Sequence, residues 1–116
     1  MTIEEVKDYV RDRFGAEAEY LWARFPEAFI FRHDNNRKWF AVAIDTKRKN
    51  LGLTGDEIVF VLDVKIGPLL SGSYLGKPGV IPAWHMNKTH WLGVLPDCAD
   101  EETVKELLEI SWELTR

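Results

Sequence analysis

The sequence predicts an α+β fold of two layers, in which an N-terminal and a C-terminal helix cover one face of an antiparallel sheet. Apolar residues recur at helical spacing near both ends of the chain, and β-branched and aromatic segments separated by short turns fill the middle. Strands joined by short turns pair antiparallel, and two amphipathic helices on one twisted sheet form a two-layer sandwich. We expect about five strands and a single domain spanning residues 1–116.

The N-terminal helix is predicted over residues 3–14. Thr2 and Glu5 match a capping box, in which the Thr2 hydroxyl accepts a hydrogen bond from the Glu5 amide and the Glu5 carboxylate reaches back. Gly15 follows as the residue suited to the left-handed conformation at a helix end. The apolar face that should meet the sheet consists of Ile3, Val6, Val10 and Phe14.

The middle of the chain is predicted to be mostly extended. The turn at Asp34–Asn36 predicts a hairpin that carries basic side chains at its tip. The segment 57–65 is apolar on both faces over most of its length, which favours a central strand. Gly67 and Pro68 begin a short helix or irregular turn that ends near Ser73. The predicted extended segments are 19–24, 28–32, 38–45, 57–65, 80–81 and 89–95, and the residues at the hairpin tip are Arg32, His33, Arg37 and Lys38.

The C-terminal helix is predicted to begin after Asp100. Asp100 is suited to the N-cap position, and two glutamates follow in the positive first turn. Apolar and small residues then recur at positions i, i+3, i+4, i+7 and i+10. This stripe, which should face the sheet beside the first helix, consists of Val104, Leu107, Leu108, Ser111 and Leu114.

Composition predicts an ordinary globular protein, with 46% apolar and 29% charged residues. Cys98 is the single cysteine, which excludes an intramolecular disulfide and a cysteine-based zinc cage. The N-terminal residues lack the basic and apolar regions of a signal peptide, and no apolar run is long enough to cross a membrane. We therefore expect a cytoplasmic monomer that does not associate with membranes.

Charge is unevenly distributed along the chain, although the net charge is only −4. Residues 32–50 carry six basic and two acidic side chains, whereas residues 97–116 carry two basic and seven acidic ones. A basic region on an acidic protein can attract an anion. The alternative is that these residues are solvated turn positions.

The segment from Gly79 to Trp91 is unusually rich in aromatic and hydrogen-bonding side chains. Surface loops seldom carry such a density of these residues unless the residues pack or bind a partner. Its central residues are Trp84, His85, Met86, Asn87, Lys88, His90 and Trp91. We expect Asn87 to order the loop through local backbone bonds, Trp91 to pack and Lys88 to be exposed.

Over nearly its whole length the chain resembles the MmcQ/YjbR family of small bacterial proteins. The matching elements occur in family order: Lys38-Trp39-Phe40-Ala41 in a strand, Val64-Lys65 followed by Pro68, the Gly79–Trp91 segment, and Ile110-Ser111-Trp112 in the last helix. The family commonly has Ser-Tyr where this chain has Ser111-Trp112, which is a conservative departure. The resemblance implies a frataxin-like (CyaY-like) fold and no settled activity. Members have been suggested to bind DNA through paired β-hairpins.

The first functional hypothesis is that basic hairpins and the loop of residues 77–91 bind DNA or another anionic partner. The candidate binding residues are Arg37, Lys38, Lys47, Arg48, Lys77, His85, Asn87 and Lys88. A second hypothesis is a small-ligand pocket, or an unrecognised enzyme, lined by Trp84, His85, His90 and Trp91. A third is a protein-interaction module whose partner the sequence does not identify.

No catalytic residue, cofactor or metal site is predicted. The serines lack a nucleophile-elbow context, and the glycines do not form a phosphate-binding or dinucleotide motif. His85 and His90 are five positions apart, which fits neither a helical nor a strand pair of zinc ligands. The acidic residues of the first helix alternate with basic ones, as on an ordinary solvated face; they are Glu4, Glu5, Asp8 and Asp12.

Overall fold

The computed structural model of the protein describes residues 1–116. In chain order the elements are α1 (Ile3–Phe14), β1 (Phe29–Arg32), β2 (Trp39–Lys47), a 3-10 helix (Arg48–Leu51), β3 (Ile58–Lys65), α2 (Ser71–Tyr74), β4 (Val80–Pro82), β5 (Trp91–Val94) and α3 (Glu101–Thr115). The five strands form one antiparallel sheet in the order β1-β2-β3-β5-β4. The predicted α+β fold class and the central position of the third strand are thus confirmed. No helix has both the length and the apolar character that crossing a membrane requires.

The ends of the long helices follow the sequence signals closely. The Thr2 hydroxyl accepts from the Glu5 amide at 3.1 Å, and the Thr2 amide donates to the Glu5 carboxylate at 2.8 Å. Gly15 ends α1 with a φ of 69°, in the left-handed region. Asp100 occupies the N-cap position of α3, as predicted, but its side chain makes no capping hydrogen bond.

Both long helices pack on the same face of the sheet, as predicted. Val6 and Val10 of α1 share one buried cluster with residues of α3 and with the sheet residues that point toward the helices. The sheet contributes Phe29, Phe31, Ala41, Ala43, Leu62, Val64, Leu92 and Val94, and α3 contributes Val104, Leu107 and Leu108. Strand alternation explains this set, because these strand residues are two positions apart.

The prediction that Leu114 faces the sheet is wrong. Leu114 is 52% exposed, while the neighbouring Thr115 is only 3% exposed. Position 114 lies almost over the buried Leu107 on the helix surface, so helical rotation alone does not account for its exposure. Thr115 is buried where its hydroxyl donates to the Ser111 carbonyl and lies 2.8 Å from the His33 ring. The buried stripe therefore continues from Ser111 to Thr115, even though leucine is the more apolar residue.

The predicted strand at 19–24 is also wrong. Only Glu19 pairs with β1, through a single bridge to Ile30. Beyond it, turn hydrogen bonds from Phe25 to Trp22 and from Ala28 to Phe25 replace sheet pairing. Strand β2, in contrast, is longer than predicted, because it continues pairing with β3 as far as Lys47.

Ser111 ties α3 to two strands where the sheet is irregular. Its hydroxyl donates to the carbonyl of Phe40 and accepts from the amide of Lys65 at 2.8 Å. The register of β1 against β2 shifts between Phe31 and Arg32, close to this point. Ser111 therefore has an architectural role in the last helix.

The second face of the sheet, which faces away from the helices, is also largely buried. A row of directly paired residues crosses this face: Ile30, Val42, Asp63, Gly93 and Ile81. A Cβ atom at Gly93 would lie 3.0 Å from the Ile81 side chain and 3.1 Å from the Pro82 carbonyl, so glycine permits this close packing. Burial of this face agrees with the apolar character of segment 57–65 on both of its faces.

Candidate functional site

The principal groove lies on the second face of the sheet. It has a volume of about 440 Å³ and is lined by Trp22, Phe25, Ala28, Ile44, Asp45, Thr46, Asn50, Trp84 and His85. This size is within the range of small-molecule pockets. Three segments form it: the turns after Glu19, the end of β2 with the 3-10 helix, and the loop of residues 83–90.

The turns of residues 22–28 position the first aromatic wall. Phe25 donates its amide to the Trp22 carbonyl at 3.2 Å. The Trp22 ring meets the edge of Trp39 at a centroid distance of 6.0 Å, which restrains its orientation. Phe25 is 59% exposed, so its ring is available at the mouth of the groove.

The loop of residues 83–90 supplies the second wall. The Trp84 amide donates to the Asp63 carboxylate at 3.0 Å, which fixes the start of the loop on the central strand. The His85 ring lies against Trp84 with a centroid distance of 4.5 Å. His85 has a φ of 64°, which is uncommon outside glycine and turns the chain sharply at this point.

The polar residues that line the groove are Asp45, Thr46, Asn50 and His85. The side-chain NH2 group of Asn50 donates to the Thr46 hydroxyl at 3.0 Å, so the side-chain oxygen of Asn50 takes no part in this hydrogen bond. Strand alternation directs Ile44 and Thr46 to the groove, so the Asp45 side chain between them points to the opposite face. In agreement, the residue paired with Asp45 is Phe60, which packs against the helix-side core.

A smaller pocket of about 170 Å³ adjoins the principal groove. Asn50 and Trp84 line both cavities and divide one from the other. The other residues of the smaller pocket are Leu51, Ile81, Pro82, Ala83 and Lys88. Lys88 is the single charged side chain among them.

Asp63 is the most unusual residue beneath the site. It lies on the central strand and is 0% exposed. One carboxylate oxygen accepts from the Trp84 amide, and the other has no hydrogen-bond partner. Burial raises the pKa of Asp63 to about 7, although the Trp84 amide and the charge of Lys88 act to lower it.

The structure does not bring the predicted basic residues together on one surface. Lys38 precedes β2 and Lys47 ends it, so roughly 30 Å of strand separates them. Arg37 lies at the hairpin tip, 3.9 Å from the Glu19 carboxylate, and Arg48 is 3.5 Å from the Glu57 carboxylate. Lys77 lies over the ring of Tyr74, whose hydroxyl donates to Glu106 of α3, on the side of the helix layer.

The signature loop divides into architectural and site residues. The Asn87 side chain accepts from the Thr89 amide at 2.8 Å, and its carbonyl accepts from the Trp91 amide at 2.9 Å, which is the local role expected of it. Trp91 is half-buried and Lys88 is exposed, as predicted. His90 is exposed and lines neither cavity, so of the predicted pocket residues the groove contains Trp84 and His85.

His33 does not belong to an exposed basic tip. It is 2% exposed, and its Nε2 atom lies 2.8 Å from the Thr115 hydroxyl. Because that hydroxyl donates to the Ser111 carbonyl, Nε2 carries the hydrogen and donates. Burial lowers the pKa of His33, while a hydrogen bond to the Trp112 backbone opposes this effect. His33 is a neutral core residue.

Four residues at the site were not predicted as site residues from the sequence: Trp22, Phe25, Asn50 and Asp63. Trp22 falls in the segment 19–24 that was predicted as a strand, Phe25 directly follows that segment, and Asn50 ends a segment of turn residues. Asp63 gives the clearest signal available beforehand, because it is a carboxylate inside an otherwise apolar central strand. No group of three or more His, Cys, Asp or Glu side chains is arranged to hold a metal ion.

Comparisons with known proteins show relatives that share the fold of this chain, two of which match it over nearly their whole length. The YjbR family model matches residues 11–114. The Bacillus subtilis protein YyaQ, described as uncharacterized, is 28% identical over 117 residues, covering 100% of this chain and 99% of YyaQ. A crystal structure of a Pseudomonas syringae protein has 38% identity and a TM-score of 0.96, with complete coverage of both chains. A Deinococcus radiodurans protein with 18% identity shares the fold at a TM-score of 0.68, covering 97% of this chain and 77% of its own.

Proposed function

This chain belongs to the YjbR family, and we propose that it is a binding protein for a small planar aromatic molecule. The observation that supports this function is the groove of about 440 Å³ between Trp22, Phe25 and Trp84. Large aromatic side chains that line one cavity at the surface offer flat apolar faces to a planar ligand. No catalytic step is assigned to the site.

Two features favour ligand binding over simple packing. The Phe25 ring remains 59% exposed although it lies beside other aromatic residues. The neighbouring polar pair, Asn50 and Thr46, supplies hydrogen-bonding groups beside the aromatic and aliphatic residues that line most of the cavity. A few placed polar groups within apolar walls are typical of small-molecule sites.

Nucleic-acid binding, which the resemblance to the family suggests, requires a different distribution of charge on the surface. It requires cations that follow a phosphate backbone. Here Arg37 and Arg48 lie near carboxylates, and Lys38 and Lys47 lie at opposite ends of β2. The groove is therefore the better-supported site, and salt dependence separates the two hypotheses.

The test is a titration of the ¹⁵N-labelled protein with naphthamide, a neutral planar probe, followed by NMR. We expect the indole N–H signals of Trp22 and Trp84 to shift, because these rings line the groove. Trp84→Ala should abolish the shifts, and Phe25→Ala should weaken binding without affecting the core. Leu69→Ala is the matched control, because Leu69 is 94% exposed and lines neither cavity.

A parallel titration uses a single-stranded oligonucleotide at about 50 and about 200 mM salt. Electrostatic binding should weaken steeply over this range, and replacing Arg37, Lys38 and Lys88 together with alanine should remove most of it. If the oligonucleotide binds in this way while naphthamide leaves the Trp22 and Trp84 signals unchanged, the groove proposal is wrong.

A further inference from the structure

We infer that the ligand of the groove is an aromatic acid: its ring lies against Trp84, and its anionic group, a carboxylate or a phosphate, binds Lys88. This inference rests on the proposed function and specifies the class of ligand. It assigns a binding role to the smaller pocket, which the proposed function does not use.

The arrangement of the two cavities is the first support. Trp84 and Asn50 line both, so a ligand that stacks on Trp84 in the larger groove needs to pass only these two side chains to enter the smaller pocket. The larger groove has the size for a ring system, at about 440 Å³, and the smaller pocket, at about 170 Å³, has room for a compact substituent.

The charge of the lining residues is the second support. Lys88 is the single charged side chain of the smaller pocket. In the larger groove the acidic residue is Asp45, whose side chain points to the opposite face of the sheet by strand alternation. The two cavities together thus present one cation and no carboxylate directed into them, which matches an anionic ligand.

The state of Lys88 is the third support. It is exposed and has no carboxylate within 4.0 Å, as is also true of several other lysines, but Lys88 is the lysine that lines a cavity. The loop that carries Lys88 is held on both sides, by the Trp84 amide on Asp63 and by the Asn87 bonds to Thr89 and Trp91. A lysine with a fixed backbone and no carboxylate at ion-pair distance can bind an anion.

The experiment compares three probes that share one ring: naphthoate, naphthyl phosphate and neutral naphthamide. Acetate and inorganic phosphate serve as anions without a ring. At low salt we expect naphthoate or naphthyl phosphate to bind about three- to five-fold tighter than naphthamide, which is the scale of one exposed ion pair. The tighter of the two acids then distinguishes a carboxylate from a phosphate ligand.

Lys88→Ala should abolish this preference by weakening the two acids far more than naphthamide, and Lys88→Arg should retain the preference. Lys77→Ala is the matched control, since Lys77 is also exposed but lies over Tyr74 on the helix side. Trp84→Ala should weaken all three ring probes.

Equal affinity of the wild type for all three probes, or a preference that survives in Lys88→Ala, would overturn this inference and leave the proposed function standing. Binding of acetate or inorganic phosphate as tight as that of the ring acids would also overturn it, because the ring would then contribute nothing. If no ring probe binds, the proposed function and this inference fail together.

Discussion

Replacing Asp63 with asparagine should change how the stability of the protein depends on pH. Asp63 is fully buried, and only one of its two carboxylate oxygens has a hydrogen-bond partner. Burial raises its pKa from 3.8 to about 7. Since the folded protein then holds this proton more tightly than the unfolded chain, the contribution of Asp63 to stability falls as pH rises from about 4 to about 7.

The magnitude follows from the two pKa values. A difference of about three pKa units corresponds to about 4 kcal/mol between fully protonated and fully ionised protein. Between pH 5 and pH 8 the wild type should lose about 2–3 kcal/mol through this residue. Asparagine keeps an acceptor for the Trp84 amide and carries no charge. Its NH2 group, however, takes the place of the unpaired oxygen and is buried without an acceptor, which costs about 1–3 kcal/mol of stability.

The assay is urea unfolding of the wild type and of Asp63→Asn at several values between pH 5 and pH 8. The free energy of unfolding of the variant minus that of the wild type should increase by about 2–3 kcal/mol across this range. Other groups cancel in this difference. His33 is one of them: burial lowers its pKa, so it destabilises the fold as pH falls through 6.5.

A difference between the two proteins that stays constant from pH 5 to pH 8 would refute the reasoning, because Asp63 would then titrate as a solvated carboxylate. Direct titration of the Asp63 carboxyl carbon by NMR in the wild type provides a second check that does not depend on the variant folding. Its midpoint should be about 7.

Four further substitutions test the fold. Leu107→Ala should lower the free energy of unfolding by about 2–5 kcal/mol, since Leu107 is fully buried, whereas Leu114→Ala should cost less than about 1 kcal/mol; chemical denaturation measures both. Ser111→Ala should cost about 1–3 kcal/mol in the same assay, because it leaves a buried backbone carbonyl without its donor. Asn87→Ala should cost roughly 0.5–2 kcal/mol by losing its bond to the Thr89 amide, and unchanged stability with lost ligand binding would make Asn87 a contact residue instead.

Much of the fold follows from local sequence signals. The capping box at Thr2, the glycine at position 15 and the turn at Asp34–Asn36 each specify their own backbone conformation, so the structure matches the predictions there. Segment 57–65 is correctly predicted as central because it is apolar on both faces. These signals are short-range and depend little on tertiary packing.

The errors occur where tertiary packing decides between local alternatives. The segment after Glu19 has strand-like residues, but turn bonds at Trp22 and Phe25 end its pairing after one bridge. Leu114 is more apolar than Thr115, yet the threonine is the buried residue, because its hydroxyl hydrogen-bonds to His33 and to the Ser111 carbonyl. Neither outcome is visible in the hydrophobic pattern alone.

The candidate site was predicted only in part for a related reason. The loop of residues 83–90 is conspicuous in the sequence because tryptophan, histidine and lysine occur close together. Its partners, Trp22 and Asn50, come from distant segments that local reasoning assigned to a strand and a turn. Only the strand order, with β3 between β2 and β5, brings these segments to one face of the sheet.

Asp63 connects this arrangement to function. A carboxylate at the centre of a buried sheet face costs stability, and an apolar residue of similar size would remove that cost. The same apolar residue would leave the Trp84 amide without its acceptor, and the loop carrying Trp84 and Lys88 would lose its attachment to the central strand. Asp63→Leu should therefore weaken naphthamide binding, whereas Asp63→Asn should preserve it. Equal affinity of the two variants, measured by NMR titration, would show that the loop keeps its position without Asp63.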